Sequence, residues 1–178
     1  MRCGAVVSSC LLVGNMLYCA NLGDSRSVLC RNGRAINLSV DHKATLKSEV
    51  ARIKALGGFV TQGRLAGKLM ITRSFGDFEM KLRTDMDNID HSVKLVSIEP
   101  DIRQIKVNFE TDSFILLASD GIFDKFSSQE ACDFITKELK AQPKGKQDLR
   151  QIARRLADQA IYIKNVKDNA TIIIVAFR

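Results

Sequence analysis

The chain has 178 residues, 46% of them hydrophobic and 26% charged, with only two prolines. That composition excludes a disordered, collagen-like or repeat chain and suits one domain, spanning 1–178, with a substantial core. The net charge of +7 raises the question of a polyanionic partner, but there is no Trp and no basic run. Lys137, Lys140, Lys144, Lys146, Arg150, Arg154 and Arg155 are spread over two predicted helices and their connection, which reads as a solvated face and not as a nucleic-acid footprint.

Met1-Arg2 and the apolar stretch from Ala5 to Ala20 superficially resemble a signal peptide. Ser8, Ser9, Gly14 and Asn15 break that stretch, so neither a leader nor a membrane-spanning helix is expected. It reads instead as strands of an antiparallel meander: Ala5 to Val7, Leu11 to Val13, Met16 to Ala20 and Ser27 to Cys30. Gly14-Asn15 and Asn32-Gly33 are tight-turn dipeptides, and Asn-Gly fits a two-residue type I′ hairpin. Leu46, Val50, Ile53 and Leu56 then fall at helical spacing, with Gly57-Gly58 as the stop. Strands are expected again at Leu69 to Thr72, Leu95 to Ile98, Ile102 to Val107 and Phe114 to Ala118, with a surface loop over the polar stretch from Phe78 to Ser92. Ser127-Ser128-Gln129-Glu130 has the form of a capping box, and Asp148 through Gln151 repeats that logic before Ile152, Leu156, Ala160 and Ile163. The closing segment Thr171 to Phe177 is apolar on consecutive positions, which predicts a strand covered on both faces. Strands, then helices, then a strand indicate a mixed α/β chain with antiparallel sheets.

Cys3, Cys10, Cys19, Cys30 and Cys132 are odd in number and include no Cys-x-x-Cys pair. They read as free thiols in a reducing compartment and give no sign of a disulfide framework or a zinc site. The sequon Asn169-Ala170-Thr171 precedes an apolar run and is taken as coincidental.

Asp24, Asp120 and Asp168 stand at predicted strand ends, and Asp124 lies four residues beyond Asp120. Clustered carboxylates at a sheet rim select hard Mg²⁺ or Mn²⁺. Acids at such places are also turn formers and helix caps, and spacing alone leaves both readings open. There is no phosphate-binding Gly-x-x-x-x-Gly-Lys loop, no Gly-x-Ser-x-Gly and no His-Glu-x-x-His, and His42 and His91 lie far apart. Metal-assisted hydrolysis needs none of these, because a divalent ion lowers the pKa of its water toward about 7.

Seven blocks of residues resemble the protein phosphatase 2C family of metal-dependent serine/threonine phosphatases, in the family's order. They are Ala20-Asn21-Leu22-Gly23-Asp24-Ser25-Arg26, Leu38-Ser39-Val40-Asp41-His42-Lys43, Glu49 with Arg52-Ile53 and Gly57-Gly58, and Ile71-Thr72-Arg73-Ser74-Phe75-Gly76-Asp77. Glu99-Pro100-Asp101, Leu117-Ala118-Ser119-Asp120-Gly121-Ile122-Phe123-Asp124 and Asp168-Asn169-Ala170-Thr171 follow. The resemblance implies an antiparallel β-sandwich flanked by helices, in four α-β-β-α layers, with a binuclear Mg²⁺ or Mn²⁺ centre. It implies Asp120 and Asp168 as ligands of that centre, and Asp24 and Asp124 as members of a weaker third-metal site. The reaction it implies is in-line attack of a metal-bridging water on phosphoserine or phosphothreonine proteins, and the stretch after Asp41 resembles the family's variable flap. Gly23 and Gly121 also have a structural reading as turn formers, Asn169 as a residue that orients a loop, and Arg26 and Arg73 as partners of Asp41 or Asp77.

The family's early acidic ligand, phosphate-holding arginine and Asp-Gly-His-Gly-Gly segment have no counterpart in these residues. The resemblance therefore covers roughly the C-terminal two-thirds of a catalytic domain, with the sandwich incomplete at its N-terminus. The expectation is a phosphatase fragment inactive alone, intracellular (cytoplasmic or nuclear), without nucleic-acid or membrane partners, and prone to self-association through exposed sheet edges. A non-catalytic phosphatase-like module that binds a partner is the alternative.

Overall fold

The computed structural model describes residues 3–81, 95–143 and 145–177. In chain order the strands and helices are β1 (Gly4–Ala5), β2 (Val7–Val13), β3 (Met16–Leu22), β4 (Arg26–Arg31), β5 (Arg34–Asn37), α1 (Lys47–Ala55), β6 (Val60–Thr61), β7 (Arg64–Leu65) and β8 (Phe75–Gly76). They continue with α2 (Phe78–Lys81), β9 (Asp101–Lys106), β10 (Asp112–Ala118), α3 (Asp120–Phe123), α4 (Ser128–Ala141), α5 (Leu149–Asp158) and β11 (Ile172–Ala176). The chain is mixed α/β, as its pattern indicated. It divides into two compact units, one built from residues up to Val7, Ala20–Asp24 and Val40–Asp101, the other from Ser8–Cys19, Ser25–Ser39 and residues from Ile102 onward.

The second unit contains a four-stranded sheet in the order β11-β10-β4-β5 and a sheet in the order β2-β3-β9. Alternation along the strands sends side chains to opposite faces of the larger sheet. Val28, Cys30, Phe114, Leu116 and Ala118 pack with Ala131, Cys132 and Ile135 of α4 and with Ile152 and Leu156 of α5. Leu29 and Ile115 pack on the other side with Leu17 and Cys19 of β3 and with Leu38 and Val107. Two apolar clusters thus lie on either side of one sheet. Each fully buried Val, Leu, Ile or Phe contributes roughly 1.5–3 kcal/mol there.

The local signals act as expected. Asn32 and Gly33 have φ of 50° and 74° and join β4 to β5 with Arg31 opposite Arg34, the backbone pattern of a type I′ turn. Ser127 and Glu130 form the full capping box of α4, and the Asp148 carboxylate accepts the Gln151 N–H at the start of α5. Beyond α5 the backbone widens into a π-helical turn at Gln159–Ile163, which the sequence pattern does not signal.

The closing strand departs from expectation. Ile172, Ile174 and Ala176 pack against the helix-side core, whereas Ile173 and Val175 are 53% and 46% exposed. β11 lies at one edge of the described sheet, where the cluster on the opposite face does not reach. An unbroken apolar run here encodes an edge strand covered on one side.

In the first unit, Gly58 N–H returns to the Ile53 carbonyl and Gly57 N–H to the Lys54 carbonyl, the Schellman closure that ends α1. Ile53 packs with Leu65, Leu95 and Val96. The segments Leu69 to Thr72 and Leu95 to Ile98 are not regular strands. They make isolated bridges, Lys43 with Ile71, Leu65 with Leu69 and Arg73 with Ser97, because their backbone groups bond to loops: Ala44 N–H to the Met70 carbonyl, and Thr72 N–H to the His42 carbonyl. Phe78–Lys81 forms a helical turn where a loop was expected. The remainder of that stretch, His91 included, and Lys144 lie outside the described residues.

Candidate metal-binding site

At the end of β10, Ser119 joins two distant parts of the second unit. Its backbone N–H donates to the Thr171 carbonyl at 3.1 Å. Its Oγ accepts the Thr171 N–H at 3.1 Å and donates to the Asn169 carbonyl at 3.4 Å. Ser119 is the N-cap of α3, yet its side chain does not cap that helix; the hydroxyl is committed to the chain entering β11. Gly121 lies against the same segment, and a Cβ there would stand 2.3 Å from the Asn169 carbonyl oxygen, so any side chain would push the two segments apart.

This clasp accounts for where the predicted carboxylates sit. Asp120 follows Ser119 and is half-buried, and Asp168 precedes Asn169 and is exposed; the structure brings their two segments to one rim of the larger sheet. Asp168 Oδ1 accepts the Asn169 N–H at 2.7 Å, which orients the carboxylate. Asp124 is the C-cap of α3, with its N–H on the Asp120 carbonyl at 2.8 Å, and so sits one turn beyond Asp120. Asp24 belongs to the first unit, where it is buried at the turn after β3.

Asp120 and Asp168 offer hard oxygen donors, which suit Mg²⁺ or Mn²⁺ in kind. They fit in kind but not in number. Among the described residues no three His, Cys, Asp or Glu side chains form a group able to hold an ion. Two carboxylates leave most of the six or so positions around such a cation to other oxygens.

The turn at Asp24 rests on a polar network within the first unit. Gly23 has φ of 106°, and a Cβ on it would lie 2.2 Å from Val6 Cγ1, so the position admits only glycine. His42, fully buried, accepts the Gly23 N–H on Nδ1 at 3.1 Å, which assigns the proton to Nε2, 3.0 Å from Asp101 Oδ2. Asn21 Nδ2 donates to the Gly23 carbonyl at 3.1 Å. Asp101 also accepts from Arg73 Nη1 at 2.9 Å, and Arg73 Nη2 reaches Glu49 Oε1 at 2.7 Å.

Glu49, 1% exposed, is the hub of that network. Its carboxylate also accepts from Arg52 Nη2 at 2.9 Å and from the Thr72 hydroxyl at 2.7 Å. Burial alone pushes the Glu49 carboxyl upward. Arg73, Arg52 and Thr72 together outweigh that and bring it down to about 2. Burial likewise opposes, and His42 and Arg73 outweigh it, so the Asp101 carboxyl also lies below its ordinary range. The sequence suggested Asp41 or Asp77 for Arg73; its partners are Glu49 and Asp101, while Asp77 accepts from the Ser74 hydroxyl. Arg26 Nη1 donates to Ser128 Oγ at 3.1 Å, and the guanidinium lies 4.6 Å over the Phe123 ring. Sequence reasoning did not identify Glu49, His42 and Asp101 as one network. The available signal was Glu49 beside Ile53 on the inward stripe of α1, with Arg52 one turn away.

The family model described as Protein phosphatase 2C matches residues 1–169. The chain is 39% identical over 175 residues to "Probable protein phosphatase 2C 13" of Arabidopsis thaliana, covering 98% of this chain and 43% of that protein. It is 39% identical over 178 residues to "Protein phosphatase 2C homolog 3" of Schizosaccharomyces pombe, covering 97% of this chain and 41% of that one. Among solved structures, a Caenorhabditis elegans sex determining protein superposes with a TM-score of 0.80 at 26% identity, over 98% of this chain and 40% of its own. A phosphatase from Toxoplasma gondii gives 0.76 at 32% identity, over 92% and 48%. The chain thus spans about two-fifths of the length of these two curated relatives.

Proposed function

Because the chain belongs to the protein phosphatase 2C family, we propose that it carries part of the metal-binding and phosphate-releasing machinery of a protein serine/threonine phosphatase. The observation that carries this reading is the Ser119 clasp, which joins the segments bearing Asp120 and Asp168. Asp120 and Asp168 would hold Mg²⁺ or Mn²⁺, and Asp124, one turn beyond Asp120, would belong to a weaker additional site. A divalent ion held there would supply Lewis acidity toward a phosphoryl oxygen and lower the pKa of water.

The chain's own residues orient and exclude. The Asn169 N–H fixes the Asp168 carboxylate, Gly121 lets Asn169 approach α3, and His42 holds the Gly23 turn that sets the position of Asp24. The substrates under this reading are phosphoserine and phosphothreonine proteins. Five free thiols suit a reducing cytoplasm or nucleus, and among the described residues no helix is long and apolar enough to cross a membrane. A second copy of the chain, adding a strand beside β11 at Ile173 and Val175, is the further partner this reading names.

Calorimetric titration of the 178-residue chain with Mn²⁺ tests the ligand assignment. Loose binding that Asp168→Asn and Asp120→Asn each weaken is the expected result. Binding unaffected by either substitution, or a strong preference for Zn²⁺, would remove the assigned site. With only part of the donor set on these residues, the chain by itself should leave a phosphothreonine peptide nearly unhydrolysed in excess Mn²⁺. Turnover independent of Asp120 would overturn the proposed role, and absence of metal binding would favour the non-catalytic, partner-binding alternative.

A further inference from the structure

β2 and β3 are joined by the two-residue loop Gly14-Asn15, so Val13 faces Met16 and, counting back along the hairpin, Cys10 faces Cys19. Facing pairs in such a hairpin alternate between those with and those without ladder hydrogen bonds, starting from a bonded pair beside the loop. Cys10–Cys19 is the fourth pair and falls at an unbonded position, where Cα atoms stand ~4.5 Å apart and side chains approach most closely. A disulfide accepts Cα separations of ~4.4–6.8 Å. The two sulfurs lie 2.8 Å apart, and both thiols are free.

We propose that Cys10 and Cys19 form a site of reversible oxidation, at which a peroxide closes an intrachain disulfide between β2 and β3. Cys10 is half-buried and Cys19 is buried, so an oxidant from solvent meets Cys10 first. Contact with the Cys19 thiol brings the Cys10 thiol down to about 7 against the opposing effect of burial, and Cys10 Sγ also lies 3.6 Å from Ser27 Oγ. Cys19 is pushed upward by the same contact. Both shifts favour ionisation of the more accessible Cys10 over Cys19.

The chemistry balances with hydrogen peroxide as the two-electron oxidant. The Cys10 thiolate attacks one peroxide oxygen, the O–O bond breaks, and the departing hydroxide takes up a proton to give water, leaving a sulfenic acid. The Cys19 sulfur then attacks the Cys10 sulfur, and the hydroxyl leaves as a second water with the Cys19 proton. Two thiols and one peroxide give one disulfide and two waters. A dithiol reductant reverses the change by exchange. Two internal controls accompany the pair: Cys3 is exposed, and Cys30 and Cys132 are both buried.

The test treats the native chain with hydrogen peroxide, blocks remaining thiols by alkylation, and maps chymotryptic peptides without reduction. Leu12, Leu17 and Tyr18 supply cleavage sites between the two cysteines, and fragmentation spectra separate Cys3 from Cys10. The expected result is a fall from five titratable thiols to three, one intrachain Cys10–Cys19 link, and recovery of all five with dithiothreitol. In Cys19→Ser the reaction should stop at a dimedone-trappable sulfenic acid on Cys10, and in Cys10→Ser the Cys19 thiol should survive. Oxidation confined to Cys3, or links joining Cys10 to another chain, would overturn the proposal. The map of the unaltered chain decides the matter even if a serine variant fails to fold.

Discussion

In the unit that contains α4 and α5, the interior is Phe114, Leu116, Ile135, Ile152 and Leu156, all fully buried. In the unit that contains α1, Glu49 is as deeply buried, and its carboxylate is shared among Arg52, Arg73 and Thr72. The first arrangement is non-directional and tolerates small shifts, because apolar burial scales with area. The second depends on angle and distance, and losing one member leaves the others buried without a partner. The contrast teaches that a chain of ordinary composition can place a rigid charged hub in one unit and a conventional apolar core in the other.

The contrast predicts a graded set of losses. Phe114→Ala empties the centre of the apolar unit and should destabilise the chain by about 3–5 kcal/mol in urea unfolding. A loss below about 1 kcal/mol would mean that the cluster does not carry that unit. Glu49→Ala leaves two guanidinium groups facing a void and should cost about 3 kcal/mol, although it deletes far fewer apolar atoms.

The Glu49 network adds a dependence on pH. The Glu49 carboxyl is lowered from 4.5 to about 2. Its contribution is fully present above the unfolded-state value and is lost as pH falls from about 4.5 toward 2. Urea midpoints measured across that window should drop more for the unaltered chain than for Glu49→Gln. Parallel curves would show that the ionised hub adds nothing.

Gly121→Ala should cost roughly 1–3 kcal/mol, since the new Cβ meets the Asn169 carbonyl. Mn²⁺ affinity should fall with it, whereas an equally destabilising change remote from the clasp should leave affinity unaltered. The smallest effect, about 1 kcal/mol, is expected for Ser127→Ala at the start of α4, read as a shift of the thermal midpoint.

What was legible in the sequence follows the same division. Periodicity located α1, α4 and α5, because their apolar stripes face a core, and punctuation located the Asn32-Gly33 turn and the Gly57-Gly58 stop. The strand ends at Asp120 and Asp168 were visible as acids beside apolar runs. Their meeting was not, since it depends on the hydroxyl of Ser119, which looks like an ordinary cap. Glu49 shows in the sequence only as a carboxylate on the inward stripe of α1 with Arg52 one turn away, and its role as a hub depends on Arg73 and Thr72, which come from a distant segment. The run Ile172 to Val175 misled for the opposite reason. Composition reports how apolar a strand is, and only its place in the sheet decides how many faces are covered.

The placement of β10 has a kinetic consequence. Ala118, the residue before the clasp, pairs with Arg26 on one side and Ile172 on the other, so β10 is bound by partners far away along the chain in both directions. Contacts of this kind form late, since the entropy of closing a long loop is lost before the pairing returns anything. The helices α4 and α5 can form from neighbouring residues while the rim still has no geometry. The segments bearing Asp120 and Asp168 are joined only when β11 docks, so completion of the candidate site waits on a long-range contact.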